Sequence, residues 1–591
     1  MIVMKNVNKL LAAILGFGMG ITSLSCSENW LKPEPLSFFA PENLLVDESG
    51  YEALLITGRK DLRNSFYGEL NTVLSEGIFT ELGVAGPLND NGIRNMDLQL
   101  TPSADGNYYV LDNFEWNYRP IRVINTVVSR IDDIEWASEG ERNAILAEAY
   151  FHRAYWYYLL VHQFGDVPYI DREFLEAKLD FYSHSRWAIL DRIQTEMEFA
   201  VQWLPMQTVP GAPDKSAGNH LLAKIYLANR AFEKAVATAT EVIAVHPLMQ
   251  QRFGAVVTNT PGKNVFWDLH RPENVHHGSN TELILGALDR SDLAVDARTS
   301  GLYTMRNYHP AWWNARVSDS RAGRGTIDSG PMYDTLGRGN SNLRPSNYYL
   351  HEIWADNGDL RRKDGNWVFK EQLLYNNPAS VDVGKPIDPM NFGSVADTFQ
   401  HYHSFPYYKT YVPQATTDQV PHGGNGDWYV FRSAETYLLR AEAYFWLGML
   451  DKAAADVNAI RERAGAGLIN PAEVTLEYIL DERARELFAE EHRKSELVRV
   501  SYIMAAEGRN GYTLEAFSER NYWYDRVMAT NNFYQTHLRW GSSECRISPY
   551  HVLFPVPASV ITTNTLGVIN QNIGYQGAER NVPPLTEIEA N

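Results

Sequence analysis

The stretch AEAYFHRAYWYYLLVHQFGDVP, residues 147–168, carries the fold in its spacing. Ala147, Tyr150, Phe151, Ala154 and Tyr158 fall at i, i+3, i+4, i+7 and i+11, the period of one helical face. A long helix is expected over Ile145–Phe164. Gly165-Asp166-Val167-Pro168 stops it, because glycine accepts a left-handed backbone and proline cannot continue the hydrogen-bond ladder. A further helix is expected from Ser185 to Leu204.

Two later segments share a pattern. Ala223, Tyr226, Ala235 and Pro247 have tetratricopeptide spacing, and Ala441, Tyr444 and Ala453 repeat its first three positions. The small residues let two helices approach closely while the aromatic fills the groove between them. Such pairs bury their faces only against neighbours, so degenerate copies are expected around residues 120–164 and 475–500. The fold class is therefore mainly α, a tetratricopeptide-like helical repeat scaffold. Gly50–Phe66 also looks helical, whereas 68–118 is rich in Gly, Asn and Asp and reads as irregular.

Residues 251–426 have another texture. They hold 17 Gly and 11 Pro, which marks a loop-rich insertion rather than more repeat. Five tryptophans (Trp267, Trp312, Trp313, Trp354 and Trp367) and ten tyrosines make it aromatic-rich as well. The chain then divides into a leader (1–25), a Pro-broken tether (26–46), an N-terminal helical part (47–250), the insertion (251–426), and a C-terminal helical part with a tail (427–591). From Pro549 the tail reads as short strands and loops.

The leader has Lys5 and Lys9, an apolar run from Leu10 to Ile21, and a small-residue tract ending at Cys26. That order is a secretory signal, and the run is too short to span a bilayer core of roughly 30 Å. Cysteine at the cleavage point is expected to be acylated, which anchors the mature chain to a membrane through Cys26. The only other cysteine is Cys545, so no internal disulfide is expected. The net charge of −19 argues against nucleic-acid binding, which neutralises phosphates with Lys and Arg. There is no Gly-x-Ser-x-Gly elbow, no His-Glu-x-x-His and no phosphate loop, so no catalytic residues are proposed. His276-His277 reads as an exposed turn, and Asp289, Asp292 and Asp296 lack a calcium-loop signature, so neither metal nor cofactor is proposed.

Taken in order, these pieces resemble the SusD-like (RagB/SusD) outer-membrane lipoproteins. The likeness is carried by CSENWLKPEPLSFF (26–39), by residues 147–168, and by FRSAETYLLRAEAYFWLGMLDKAAADVNAIRERAG (431–465). ERARELFAEEHRKSELVR (482–499) and the Gln-Asn-x-Gly close at Gln571–Gly574 complete it. The resemblance implies a surface lipoprotein that captures a nutrient and serves a SusC-like, TonB-dependent transport barrel. Family members mostly bind glycans and a minority bind peptides; a surface glycoside hydrolase on a helical scaffold is a third reading. Ser27 and Glu28 look like the short signal that sends such lipoproteins to the outer face. The charges of 482–499, with Arg461 and Arg463, are expected to form ion pairs rather than an anion site.

Sugar recognition needs flat rings for the C–H face of the sugar and amide or charged groups for its hydroxyls. Tyr303, Trp312 and Trp313, with Trp267 and Trp354, are the candidate rings, because Gly301 and Pro310 place the first cluster in irregular backbone. Tyr308, Arg306, Asn307 and Asn314 surround that cluster. Asp90, Asn91, Arg94 and Asn95 are the candidate polar counterpart from the pre-repeat region. A strongly anionic ligand is disfavoured unless Arg306, Arg316, Arg321 and Arg324 gather into a basic patch.

Overall fold

A computed structural model describes residues 41–87, 92–106, 108–254, 262–355, 358–416, 418–540 and 543–588. Cys26, most of the tether, and the candidates Asp90 and Asn91 lie outside the described residues. The longer helices are α1 (Glu48–Asp61), α2 (Asp112–Arg130), α3 (Glu139–Gln163), α4 (Arg186–Trp203) and α5 (Lys215–Ala228). They continue with α6 (Phe232–Val245), α7 (Ser433–Trp446), α8 (Leu450–Arg463), α9 (Leu476–Leu487), α10 (Arg493–Ala506) and α11 (Tyr522–Thr530).

Residues 147–163 form the C-terminal two-thirds of α3, which is capped by the Ser138 hydroxyl on the Glu141 amide. Gly165 ends it at φ +70°, where a Cβ would lie 2.8 Å from Leu553 Cδ1, so the turn and the packing both require glycine. One face was expected to be buried, but residues Phe151 to Gln163 are buried all round. The reason is position: α3 packs on α1, α2, α4 and α10 and is the central rod of the fold. Helix α2 begins at Asp112, eight residues before Pro120, which sits inside the helix rather than at its start.

The two repeat motifs form the hairpins α5–α6 and α7–α8. They are about 200 residues apart in sequence, yet α6 packs directly on α7 and makes one continuous array. Ala223, Ala235, Ala441 and Ala453 are all fully buried at the helix crossings. The helices expected to form the degenerate copy around 475–500 diverge from a hairpin: α9 packs on α7, and α10 crosses to α3 and α5.

The segment 251–426 is short helices, 3₁₀ turns and loops. Two small antiparallel ladders stitch it to the rest. Strand β1 (Gly83–Ala85) pairs with β3 (Leu343–Pro345), with Val84 opposite Arg344. Strand β2 (Leu283–Ala287) pairs with β4 (Trp428–Arg432), which runs straight into α7. The tail corrects an expectation: from Pro549 it contains a 3₁₀ turn and a helix over Ala558–Thr563 rather than strands, and Pro557 starts that helix instead of breaking it. Cys545 is buried and unpaired, and burial pushes its thiol up to about 12.

The charges of 482–499 turn inward and pair, as do Arg461 and Arg463. Arg432 spans Glu282 (2.9 Å), Glu486 (2.7 Å) and Glu490 (2.9 Å). Arg463 also bonds Glu282 and Glu486. Arg361 reaches Glu482 (2.8 Å) and Glu486 (3.0 Å), while Arg461 and Arg485 close on Glu482 at 3.0 and 2.8 Å. Burial alone would raise the Glu482 carboxyl, but Arg485, Arg361 and Arg461 outweigh it and hold the group at about 2. The same competition, with Arg493 and Arg526 as partners, holds Glu81 at about 2.

Removing one partner strands a buried charge, so Arg432→Ala is expected to cost about 3–5 kcal/mol of unfolding free energy in denaturant titration. These carboxylates titrate lower folded than unfolded. Their contribution is therefore complete above about pH 4.3 and is lost as the pH falls toward about 2. An acid-unfolding midpoint above pH 5 would contradict that assignment.

Candidate ligand-binding face

The β1–β3 ladder fixes Asn340–Asn342 beside the segment 301–309. Asn342 donates to Asn307 Oδ1 (2.8 Å) and Glu69 Oε1 (3.2 Å), and Asn340 donates to Asn342 Oδ1 (2.7 Å). Arg306 Nε donates to the same Glu69 oxygen at 3.0 Å. Gly301, at φ +107°, brings the backbone so close to the loop 422–424 that a Cβ would lie 2.8 Å from Gly423 O. Tyr303 follows in the left-handed region at φ +54°, its amide bonded to Gly423 O at 3.0 Å. Non-glycine residues there cost of order 1–3 kcal/mol and persist only where the surroundings dictate them.

The Tyr303 ring is partly exposed and stacks on His422, with centroids 5.1 Å apart and planes at 26°. Burial and the cations Arg306 and Arg338 lower the His422 imidazole to about 4, so it is neutral at pH 7. Trp313 lies half-buried with Nε1 on Gly339 O (2.7 Å), the Arg338 guanidinium 4.7 Å over its ring and Tyr333 edge-on at 6.3 Å. A further aromatic pair lies at the start of α2: Tyr109, in the turn before it, is 42% exposed and its ring lies 5.8 Å from the partly exposed Trp116. Tyr109 is also left-handed, at φ +56°. Its neighbour Tyr108 donates to Asn342 O at 3.0 Å, which ties this turn to the Asn340–Asn342 strip.

Of the candidate rings, Tyr303 and Trp313 reach this face and three do not. Trp312 has no exposed surface and packs with Phe405, Tyr407 and Tyr375 in a separate core beneath the loops. Trp267 is 8% exposed, and Arg271 and Lys263 lie over its ring at 4.0 and 3.6 Å. Trp354 is buried against Trp367, its Nε1 bonded to Tyr349 O. The insertion uses Trp267 and Trp312 for its own core, since loops that long need an apolar cluster under them, and lends Trp354 to the main core. Tyr308, too, is buried.

Arg94 is fully buried and bonds the carbonyls of Ala85 and Pro87, so it braces the loop instead of facing a ligand. Asn95 is buried beside it, its amide donating to Gln99 Oε1 at 3.0 Å. Two of the four arginines of the expected basic patch are engaged by carboxylates of the chain, Arg306 by Glu69 and Arg324 by Asp328. His276 is not an exposed turn residue: its ring is tucked in and bonds Asp427 at 2.8 Å, while His277 is exposed. Both oxygens of Asp289 are taken by Thr299 and Asn425. Sequence reasoning missed Tyr109, Trp116, Glu69 and His422; for His422 a signal was available in the glycine-dense PHGGNG loop, which announces close backbone approach.

This fold and face define a class. Residues 296–575 match the SusD family model, and residues 85–227 match the model described as starch-binding associating with outer membrane. The chain belongs to the SusD-like family. It is 25% identical to SusD-like protein P2 of Formosa agariphila, covering 81% of this chain and 86% of that one. To the starch-binding protein SusD of Bacteroides thetaiotaomicron it is 24% identical, over 76% of this chain and 75% of the other. Among solved structures it superposes on surface glycan-binding protein A of Bacteroides thetaiotaomicron in complex with laminarihexaose. The TM-score is 0.61 at 18% identity, covering 88% of this chain and 98% of the other.

Trp312→Ala empties a packed core and is expected to cost about 3–5 kcal/mol. Tyr303→Gly relieves a left-handed residue and is expected to cost less than about 1 kcal/mol. Denaturant titration of both variants checks the division between core ring and surface ring.

Proposed function

We propose that the protein is a cell-surface lipoprotein that captures oligo- or polysaccharide and passes it, unreacted, to a SusC-like TonB-dependent transporter of the outer membrane. One observation carries the reading: Tyr303 and Tyr109, both aromatic and both reaching the surface, are held in left-handed backbone that ordinary folding disfavours. Strain kept at an exposed ring is expected where the ring is presented to a ligand. Arg306, Arg338 and Asn340, each partly exposed, supply donors and acceptors for hydroxyls beside it, over a buried support of Ser341 and Asn342. The relatives named for starch and laminarihexaose support the same substrate class. The outer-membrane wording of the family description and the acylation expected at Cys26 support the location.

Each stacked ring removes about 100 Å² of apolar surface, worth about 2.5 kcal/mol. Association costs at least about 4 kcal/mol, so two or three platforms with hydrogen bonds give about micromolar to millimolar affinity. Weak capture suits a protein that hands its ligand on. Glu69, the carboxylate at the platform, is engaged by Arg306 and Asn342, which fits a fixing role better than acid catalysis.

Screening glycan and peptide libraries tests the reading. A glycan that binds wild type is expected to lose about tenfold or more in affinity to Tyr303→Ala, at unchanged melting temperature. Capture of peptides alone, or release of reducing sugar from a bound glycan, would overturn it. Binding is expected to be flat from pH 6 to 8, because His422, lowered to about 4, stays neutral throughout. Cys26→Ser is expected to bind in solution yet fail to support uptake by cells.

A further inference from the structure

Helix α2 also borders a second cleft, of about 490 Å³, closed on its other side by residues 170–181. That volume lies in the range of ligand pockets, about 300–1,000 Å³. One wall is apolar. Phe174 and Phe181 meet edge to face at 5.8 Å, and Phe174 is 42% exposed. Tyr118 lines the cleft next to them, its hydroxyl fixed on Pro168 O at 2.5 Å.

The other wall is charged, and its charges are unevenly spent. Glu115, Arg119, Arg122 and Thr126 form one stripe of α2 at i, i+4, i+7 and i+11. Across the cleft Glu173 is taken by Arg130 (2.6 Å) and Arg172 bonds Asp171 (3.1 Å). Among the described residues Arg119 and Arg122 are exposed and donate no hydrogen bond to a side chain or carbonyl, although the buried Asp61 feels the charge of Arg119. With Glu115 as the remaining lining acid, the cleft carries a positive excess on a chain whose net charge is −19. Lys178 lies over the Phe174 and Phe181 rings at 5.9 and 5.5 Å. Two guanidinium groups lining the same cleft as an aromatic wall are complementary to a ring that has one apolar face and one carboxylate.

We propose that this cleft is a second ligand site, one that takes a hexuronate residue of an acidic oligosaccharide. Its C–H face lies on the exposed ring of Phe174, with Phe181 edge-on behind it, and its carboxylate between Arg119 and Arg122. The site is separate from the Tyr303 platform in its residues and in its charge requirement. It is tested with a different probe, so either reading can fail while the other stands.

The probe is trigalacturonate, titrated calorimetrically into the full mature chain and compared with its methyl ester, which keeps the rings and removes the charge. Wild type is expected to bind the acid at least about tenfold tighter than the ester, and to lose that preference as salt rises past about 0.5 M. The double variant R119Q/R122Q is expected to lose at least about tenfold in affinity for the acid, and R122Q alone, which leaves Arg119 to the buried Asp61, to lose affinity at the wild-type melting temperature. Phe174→Ala is expected to weaken acid and ester equally. Equal binding of acid and ester, acid binding untouched by R119Q/R122Q, or binding of anionic phospholipid vesicles without binding of trigalacturonate would each overturn the proposal.

Discussion

The glutamates of α9 and the turn after it cannot be left unpaired, and much of the structure is arranged around that constraint. Glu482 and Glu486 are buried one helical turn apart on α9, and Glu490 is buried in the turn that follows it. Their partners arrive from well-separated parts of the chain: Arg361, Lys409 and His270 from the loop-rich segment, Arg432 from β4, and Arg461 and Arg463 from α8. A lone buried carboxylate would cost several kcal/mol, so each of these segments is held where its cation meets these glutamates. Such a lattice contributes little net stability compared with an apolar core of equal volume. Its contribution is specificity, since a slipped register of α8, α9 or β4 would strand a charge.

The same lattice sets the backbone of the ligand face. Lys409 donates to the Glu486 carbonyl and pairs with Glu490 at 2.6 Å, which pins the short helix Tyr407–Thr410. Thr410 Oγ1 then meets His309 Nε2 at 2.7 Å, while His309 Nδ1 meets Leu336 O at 2.7 Å. Burial lowers the His309 imidazole to about 3, so it is a neutral strut bridging two loops. His309 closes the segment that begins at Gly301, and Tyr303 is strained within it. The chain of contacts runs from a buried glutamate to a surface ring in three side chains. Strain at the ring can persist because the far end of that chain cannot move without exposing a charge.

Some of this was legible in the sequence and some was not, for a consistent reason. Periodicity and punctuation report backbone geometry, so α3, its Gly165 stop and the two alanine-rich hairpins could be read directly. The inward pairing of Arg461 and Arg463 followed from the excess of opposite charges at helical spacing. Exposure of a ring in a loop is a tertiary property, however, and Trp312 and Trp313 have the same local sequence context yet opposite fates. Trp312 falls on the side that packs against Phe405 and Tyr407; Trp313 points to Arg338 and the surface. Nothing in composition separates them. The density of aromatics in 251–426 reflects first the need of an irregular segment for its own core.

Tyr109 and Tyr303 show what a local sequence signal for the face would have required. Each is a tyrosine in a conformation that glycine or asparagine takes at lower cost, at φ +56° and +54°. Glycine at either position would relieve the backbone, and the surrounding turns already use glycine freely, at Gly106 and Gly301. A large ring retained where a hydrogen would fit more easily is not explained by packing alone, since neither ring is buried. The strain is small beside the ionic lattice that sustains it, of order 1–3 kcal/mol per residue. Presentation of a flat surface to an external partner is the account that makes both tyrosines intelligible together. The two turns that carry them are joined through Asn342 and are not part of the helical array that supplies the rigidity.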